Sequence, residues 1–162
     1  MAFHLHIARE QAQGDGTRSG PIRVVLADDH ALIRRSMRRV LDGEEGIDVV
    51  SETAELGSTF RDVRVHHPHV LVFDLRLPGC SSDATIRRLR AGVARTAIVL
   101  ASMELNPALA QLALNLGVLG FVCKDLSDTE LAPAVRAAAR GQRYVSPRVG
   151  VHLGNWRTAP TV

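Results

Sequence analysis

In the stretch IRVVLADDH, residues 22–30, an apolar run from Ile22 to Ala27 ends abruptly in two aspartates, Asp28 and Asp29. A short run rich in β-branched residues, with no apolar–polar alternation, is the pattern of a strand buried on both faces. Four more such runs follow, Ile47 to Ser51, Val70 to Phe73, Ala97 to Ala101 and Gly120 to Cys123. Helical period fills the intervals. Ile33, Met37, Val40 and Leu41 make one apolar stripe, Arg34, Arg35, Arg38 and Arg39 face away from it, and Gly43 closes the segment. Further helices are predicted around Leu56 to Val65, Ala84 to Ala91, Pro107 to Leu116 and Asp128 to Arg140. Ser127 and Glu130 stand at capping-box spacing at the start of the last one, and Pro133 predicts a late start or a kink there. Alternating strands and helices of these lengths require right-handed crossovers. The expected fold is therefore α/β, a doubly wound five-stranded parallel sheet with helices on both faces.

The whole chain has 162 residues, enough for one compact domain and too few for two. With 46% hydrophobic and 23% charged residues it lies far from the composition of disordered proteins. The two cysteines, Cys80 and Cys123, indicate neither a disulfide framework nor a zinc site, so a reducing cytoplasmic location is expected. The opening MAFHLHIAREQAQGDGTRSG, residues 1–20, lacks the apolar run of a secretory signal and reads as a disordered leader. Ala108 to Cys123 is the longest apolar stretch, and it is interrupted too often for a membrane helix. A net charge of +3 permits contact with nucleic acid without demanding it. Among 20 basic residues only Lys124 is a lysine, which makes its position worth asking about.

In an open parallel α/β sheet, functional groups collect beyond the carboxyl ends of the strands. The first run ends in Asp28 and Asp29, the third in Asp74, the fourth in Ser102 and the fifth in Lys124. Three carboxylates, a hydroxyl and the single lysine thus meet on one rim. Carboxylates so close repel by up to about 4 kcal/mol per pair at an effective dielectric constant near 20, and this calls for a cation. A hard divalent ion with oxygen ligands, Mg2+, is the natural partner, since with one lysine it neutralises three carboxylates.

The motifs LADDH (26–30), LVFDLRLPG (71–79), VLASM (99–103) and GFVCKD (120–125) together resemble the receiver domain of bacterial two-component response regulators. The resemblance covers about Pro21 to Ser146 and implies a flavodoxin-like sheet with strand order 2-1-3-4-5. It implies that Asp74 is the phosphoacceptor for a sensor histidine kinase, acting as a carboxylate nucleophile. Asp29 would bind Mg2+ directly and Asp28 through water, with Asp74 and the backbone carbonyl of Arg76 as further ligands. Lys124 and Ser102 would contact the phosphoryl group, and Phe121 occupies the place of the switch aromatic. Ser82 stands where the family usually has glycine, and Met103 where alanine is common; the larger side chain should narrow access to Asp74. The stretch GQRYVSPRV, residues 141–149, is similar to the end of receivers in helix-turn-helix regulators related to nitrate-response and quorum-sensing regulators.

Simpler readings exist for each residue alone. Asp29 suits a helix N-cap, Ser102 an ordinary loop serine and Lys124 a solvated lysine. Pro78 and Gly79 shape a turn. His66, His67 and His69 resemble a metal cluster but lack carboxylates at ligand spacing, and they read as surface residues. The expected organisation is a leader over 1–20, a receiver over 21–146 and a short tail over 147–162 without a DNA-binding domain. The expected function is that of a phosphoacceptor switch, not an enzyme in its own right beyond slow autodephosphorylation. Its partners would be a histidine kinase and an output protein or full-length regulator, with a possible homodimer, and DNA reached only indirectly. The face of the fourth helix, fifth strand and fifth helix, with Gln111, Asn115, Arg136 and Arg140, would meet the output partner. The alternatives are a DNA-binding regulator, motivated by the arginines from Arg34 to Arg39, and an aspartyl-nucleophile phosphohydrolase. The hydrolase would normally carry a second acid two residues after the nucleophile, where this chain has Arg76.

Overall fold

The computed structural model describes residues 20–80 and 82–154. The expected leader, except Gly20, and the tail from residue 155 lie outside the described residues. In chain order the elements are β1 (Ile22–Ala27), α1 (Ala31–Asp42), β2 (Ile47–Thr53), α2 (Leu56–His66), β3 (Val70–Phe73) and α3 (Ser82–Gly92). They continue with β4 (Ala97–Ser102), α4 (Pro107–Asn115), β5 (Gly120–Cys123), a 3₁₀ turn (Lys124–Leu126), α5 (Ser127–Ala139), β6 (Tyr144–Val145) and α6 (Pro147–Gly150). The sheet is parallel throughout, in the order β2-β1-β3-β4-β5-β6. It thus has the expected 2-1-3-4-5 core and a sixth strand beyond β5. Two residues with no repeating pattern leave no period to read, which is why β6 escapes a search for apolar runs.

Alternate residues of the doubly buried strands face two separate cores. Val24, Leu26, Val72, Val99 and Val122 pack against Met37 and Leu41 of α1 and Leu131 and Val135 of α5. Val25, Leu71, Phe73, Leu100 and Phe121 face Val63 of α2, Ile86 and Leu89 of α3, and Ala110 and Leu114 of α4. Gly120 opens β5 because a Cβ there would come within 2.8 Å of Val99 on the adjacent strand, a β-branched side chain with little freedom to move. Past the expected domain edge at 146, Val149 and Leu153 still pack into the second core with Val145.

The register positions the rim. Ala27 pairs with Phe73, so Asp28 and Asp74 leave adjacent strands at the same level. Ser102 pairs with Cys123, which places Lys124 one residue beyond it.

Two local expectations need correcting. Ser127 does not cap α5: the N-cap is Leu126, Ser127 is the first helical residue, and the Glu130 carboxylate instead accepts the hydroxyl of Ser146 at 3.0 Å. A buried Ser146 in the β6–α6 segment offers Glu130 a better-shielded partner than the helix end. Of the late start or kink expected at Pro133, the late start does not occur, since α5 starts at Ser127 and contains the proline. Both Pro133 and Thr129, whose carbonyl loses a donor, are exposed, so water satisfies what the ring removes. The positive φ in the loop after Asp74 falls on Gly79 (φ 83°), and α3 begins at Ser82.

Candidate functional site

β1 and β3 are central, and from Val24 and from Val70 to their ends they are apolar and buried, so the polar residues that follow emerge from the core while still enclosed by it. Asp28 is fully buried and Asp74 almost so. Their backbones are locked to neighbouring strands, the Asp74 amide donating to the Ala27 carbonyl at 2.9 Å and the Asp28 amide to the Thr53 carbonyl at 3.0 Å. Between the two carboxylates sits the ammonium of Lys124, whose side chain is 1% exposed, at 2.5 Å from Oδ2 of each. With Asp74 it forms a hydrogen bond. With Asp28 it makes an ion pair lacking hydrogen-bond geometry, so Asp28 Oδ2 is buried with no hydrogen-bond donor. The only lysine of the chain is therefore neither solvated nor incidental.

The remaining oxygens are oriented by backbone. Asp28 Oδ1 accepts the His30 amide at 2.8 Å, and Asp74 Oδ1 accepts the Arg76 amide at 2.9 Å. Asp29 is exposed at the mouth, where His30 Nδ1 lies 3.0 Å from its Oδ1 and 3.6 Å from Asp28 Oδ1. Asp29 is not the N-cap of α1; that position belongs to His30, which caps nothing with its side chain. Donor atoms of Asp28, Asp29, His30 and Asp74 all lie within 4.8 Å of one another. The sequence reading passed over His30, although its signal was plain: a histidine directly after two strand-end aspartates.

Around this centre, Ser102 is half-buried at the end of β4, its hydroxyl accepting the Glu104 amide at 3.0 Å. Phe121 is fully buried in the core beneath the rim. The Arg76 side chain turns outward to Glu104 at 3.4 Å and bridges the loops after β3 and β4. Met103 is half-exposed beside them. The other singled-out histidines do not gather with the acids or with one another: His67 ends α2 in a left-handed conformation, and His69 Nδ1 accepts the Arg23 amide at 2.9 Å.

The residues present fit a hard cation. Asp28 and Asp74 carry two buried negative charges against one ammonium, Asp29 adds a third, and Asp28 Oδ2 has a lone pair that no donor uses. Such a set of oxygens is what a divalent ion of the alkaline-earth type takes. On α1, by contrast, Arg34 reaches the Asp28 carbonyl and Glu52, and Arg38 pairs with Asp42 and Glu52, so half of the arginine cluster is spent on protein contacts.

A parallel α/β sheet carrying paired acids, a buried lysine and a strand-end serine on its carboxyl rim is the arrangement of a receiver domain. The chain belongs to the response regulator receiver domain family, whose model matches residues 24–136. It is 32% identical over 126 residues to the probable transcriptional regulatory protein NarL of Mycobacterium tuberculosis, covering 78% of this chain and 58% of that protein. To the oxygen regulatory protein NreC of Staphylococcus haemolyticus it is 30% identical over 135 residues, 83% of this chain and 62% of that one. The chain thus spans about three fifths of the length of these curated relatives. Among solved structures, a LuxR-family two-component response regulator from Aurantimonas superposes with a TM-score of 0.75 at 32% identity, covering 82% of this chain and 94% of that chain. The isolated receiver of RcsB from Salmonella enterica, solved with a phosphomimetic, gives 0.75 at 26% identity, covering 83% of this chain and all of its own. The fold, the family and its role as a receiver in two-component signalling agree with what the motifs imply. Among the described residues, no helix is long and apolar enough to cross a membrane.

Proposed function

We propose that Asp74 accepts a phosphoryl group from the phosphohistidine of a sensor histidine kinase and that the resulting charge changes a protein-binding face. The carrying observation is the buried Asp28–Lys124–Asp74 arrangement, with both acids held at 2.5 Å from one ammonium. One Asp74 oxygen attacks phosphorus, the phosphorus–nitrogen bond of the donor breaks, and the imidazole keeps its electron pair and takes up a proton. Asp28, Asp29, Asp74 and the Arg76 carbonyl would hold Mg2+, which supplies charge neutralisation for the phosphoryl oxygens. Lys124 then trades its carboxylate contacts for a phosphoryl oxygen, Ser102 leaves the Glu104 amide to donate to another, and Phe121 follows the movement of β4 and β5.

The chain is read as a cytoplasmic switch and not as a turnover enzyme, with only slow loss of its own phosphoryl group. An output protein or a longer regulator would read its state, and DNA would be reached through that partner. A homodimer is consistent with the RcsB neighbour described as dimers bound to DNA. The test is labelling with acetyl phosphate or a phosphohistidine donor in the presence of Mg2+. Label should appear on Asp74 alone and vanish in Asp74→Asn; equal labelling of that variant overturns the assignment.

A further inference from the structure

Opposite the acidic rim, where β4 and β5 begin, a cavity of about 290 Å³ opens between the C-terminal ends of α3, α4 and α5. Three arginines line it: Arg90 from the last turn of α3, Arg95 from the loop before β4, and Arg143 from the segment before β6. Among the described residues no carboxylate lines it. Nor does Arg90 or Arg95 pair with a carboxylate elsewhere among them.

Guanidinium groups remain charged at every physiological pH. Arg90 and Arg95 bring two such charges to the cavity, while the carbonyl ends of the three helices supply roughly half a negative charge each. Arg143 already answers one helix end by donating to the Leu114 carbonyl at 3.3 Å. Arg90 and Arg95 are left to face the opening. The backbone makes room for this: Gly117, at φ 87°, has no side chain where a Cβ would stand 3.2 Å from Arg90 Nε. His69, whose Nδ1 accepts the Arg23 amide at 2.9 Å, also lines the opening. Leu119 and Ala139 form an apolar flank. The volume exceeds what a bare phosphate needs and approaches the lower end of small-ligand pockets, roughly 300–1,000 Å³.

We propose that this cavity binds an organic phosphomonoester of nucleotide size, its dianion held by the forks of Arg90 and Arg95 and its body against Leu119 and Ala139. A doubly charged phosphate matches the two guanidinium charges of Arg90 and Arg95, whose forks suit its oxygens better than those of a single carboxylate. The site is independent of Asp74 and does not rest on the phosphoacceptor reading. The test titrates the full chain, without Mg2+, with adenosine monophosphate and separately with inorganic phosphate, followed by calorimetry and amide NMR. Adenosine monophosphate should bind about tenfold more tightly than phosphate and shift the amides of Arg95, Thr96, Gly117 and Gly141. Losing one charged hydrogen bond should weaken it about tenfold or more in Arg90→Gln and in Arg95→Gln, while Arg148→Gln, on another surface, leaves it unchanged. Arg95 lies on an exposed loop, so its variant stays informative if the Arg90 variant does not fold. Absence of binding, shifts confined to the Asp74 rim, equal affinity for inorganic phosphate, or tighter capture of duplex DNA by the same amides would each overturn the proposal.

Discussion

Lys124 shows how much one residue can carry. Its ammonium is the buried cation between Asp28 and Asp74, and its own charge is as thoroughly buried as theirs. Removing one partner of a buried ion pair leaves an uncompensated charge and typically costs about 3–5 kcal/mol. Lys124→Met should therefore lower stability by about 3 kcal/mol in urea titrations without divalent ion, and adding Mg2+ should restore much of the loss. If Lys124 also couples the phosphoryl group to Ser102 and Phe121, the variant should still label on Asp74 while its amide spectrum no longer changes on phosphorylation. Equal stability of variant and parent without metal would show that the ammonium does not compensate the acids. Most of this centre was legible from sequence, because a strand that is apolar on both faces must deliver its first polar residue at the rim. What was not legible was rotamer-dependent. The Ser102 hydroxyl faces its own loop, Asp29 leaves the capping position to His30, and the imidazole joins the acids only once β1 and α1 are in place.

At the scale of elements, the β6–α6 segment is the part that the sequence concealed. The five main strands announce themselves as short runs rich in apolar and β-branched residues, and three of them, β1, β3 and β5, match the expected limits residue for residue. β6 and α6 are too short for any period, and their place depends on partners distant in sequence. The Ser146 amide donates to the Phe121 carbonyl at 2.8 Å, and its hydroxyl donates to Glu130. The same competition hid the true role of Glu130, which local spacing had assigned to a capping box. Arg136, on the face expected to meet a partner, donates to Glu44 and to the Glu45 carbonyl, tying α5 to the loop after α1. If the segment is an integral part of the core, Leu153→Ala, at a side chain only 7% exposed, should cost about 2–3 kcal/mol in urea unfolding. Val151→Ala, at a residue 78% exposed, should change stability by less than about 0.5 kcal/mol. Similar small effects at both positions would mean that α6 is only loosely attached.

For the molecule as a whole, stability should form a plateau with a defined limb on each side. On the acid side the Ser51 hydroxyl, donating to Asp62 at 2.6 Å, holds that carboxyl below its ordinary value of 3.8. A depressed folded pKa gives stability that is present above the unfolded value and lost as pH falls through the folded one. On the alkaline side burial, reinforced by the neighbouring Asp125 carboxylate, pushes the Cys123 thiol from 9.0 up to about 11. A raised folded pKa gives stability that is intact below 9.0 and lost as pH climbs through about 11. Melting temperature against pH should thus fall below about 4 and above about 9. Ser51→Ala should flatten the acid limb and Cys123→Ala the alkaline one, and unchanged limbs in these variants would assign the pH dependence to other groups. The two borders of the sheet add a property of another kind. One border is β6, only two residues long, and the other is β2, which displays the exposed acids Asp48 and Glu52 and bulges against β1 between Val24 and Val25. A strand laid against β2 from a second molecule would meet like charges on a bent template, and one laid against β6 would find too little backbone to grip. A chain so rich in β-branched strands is thereby protected from fusing edge to edge into fibres, even when crowded.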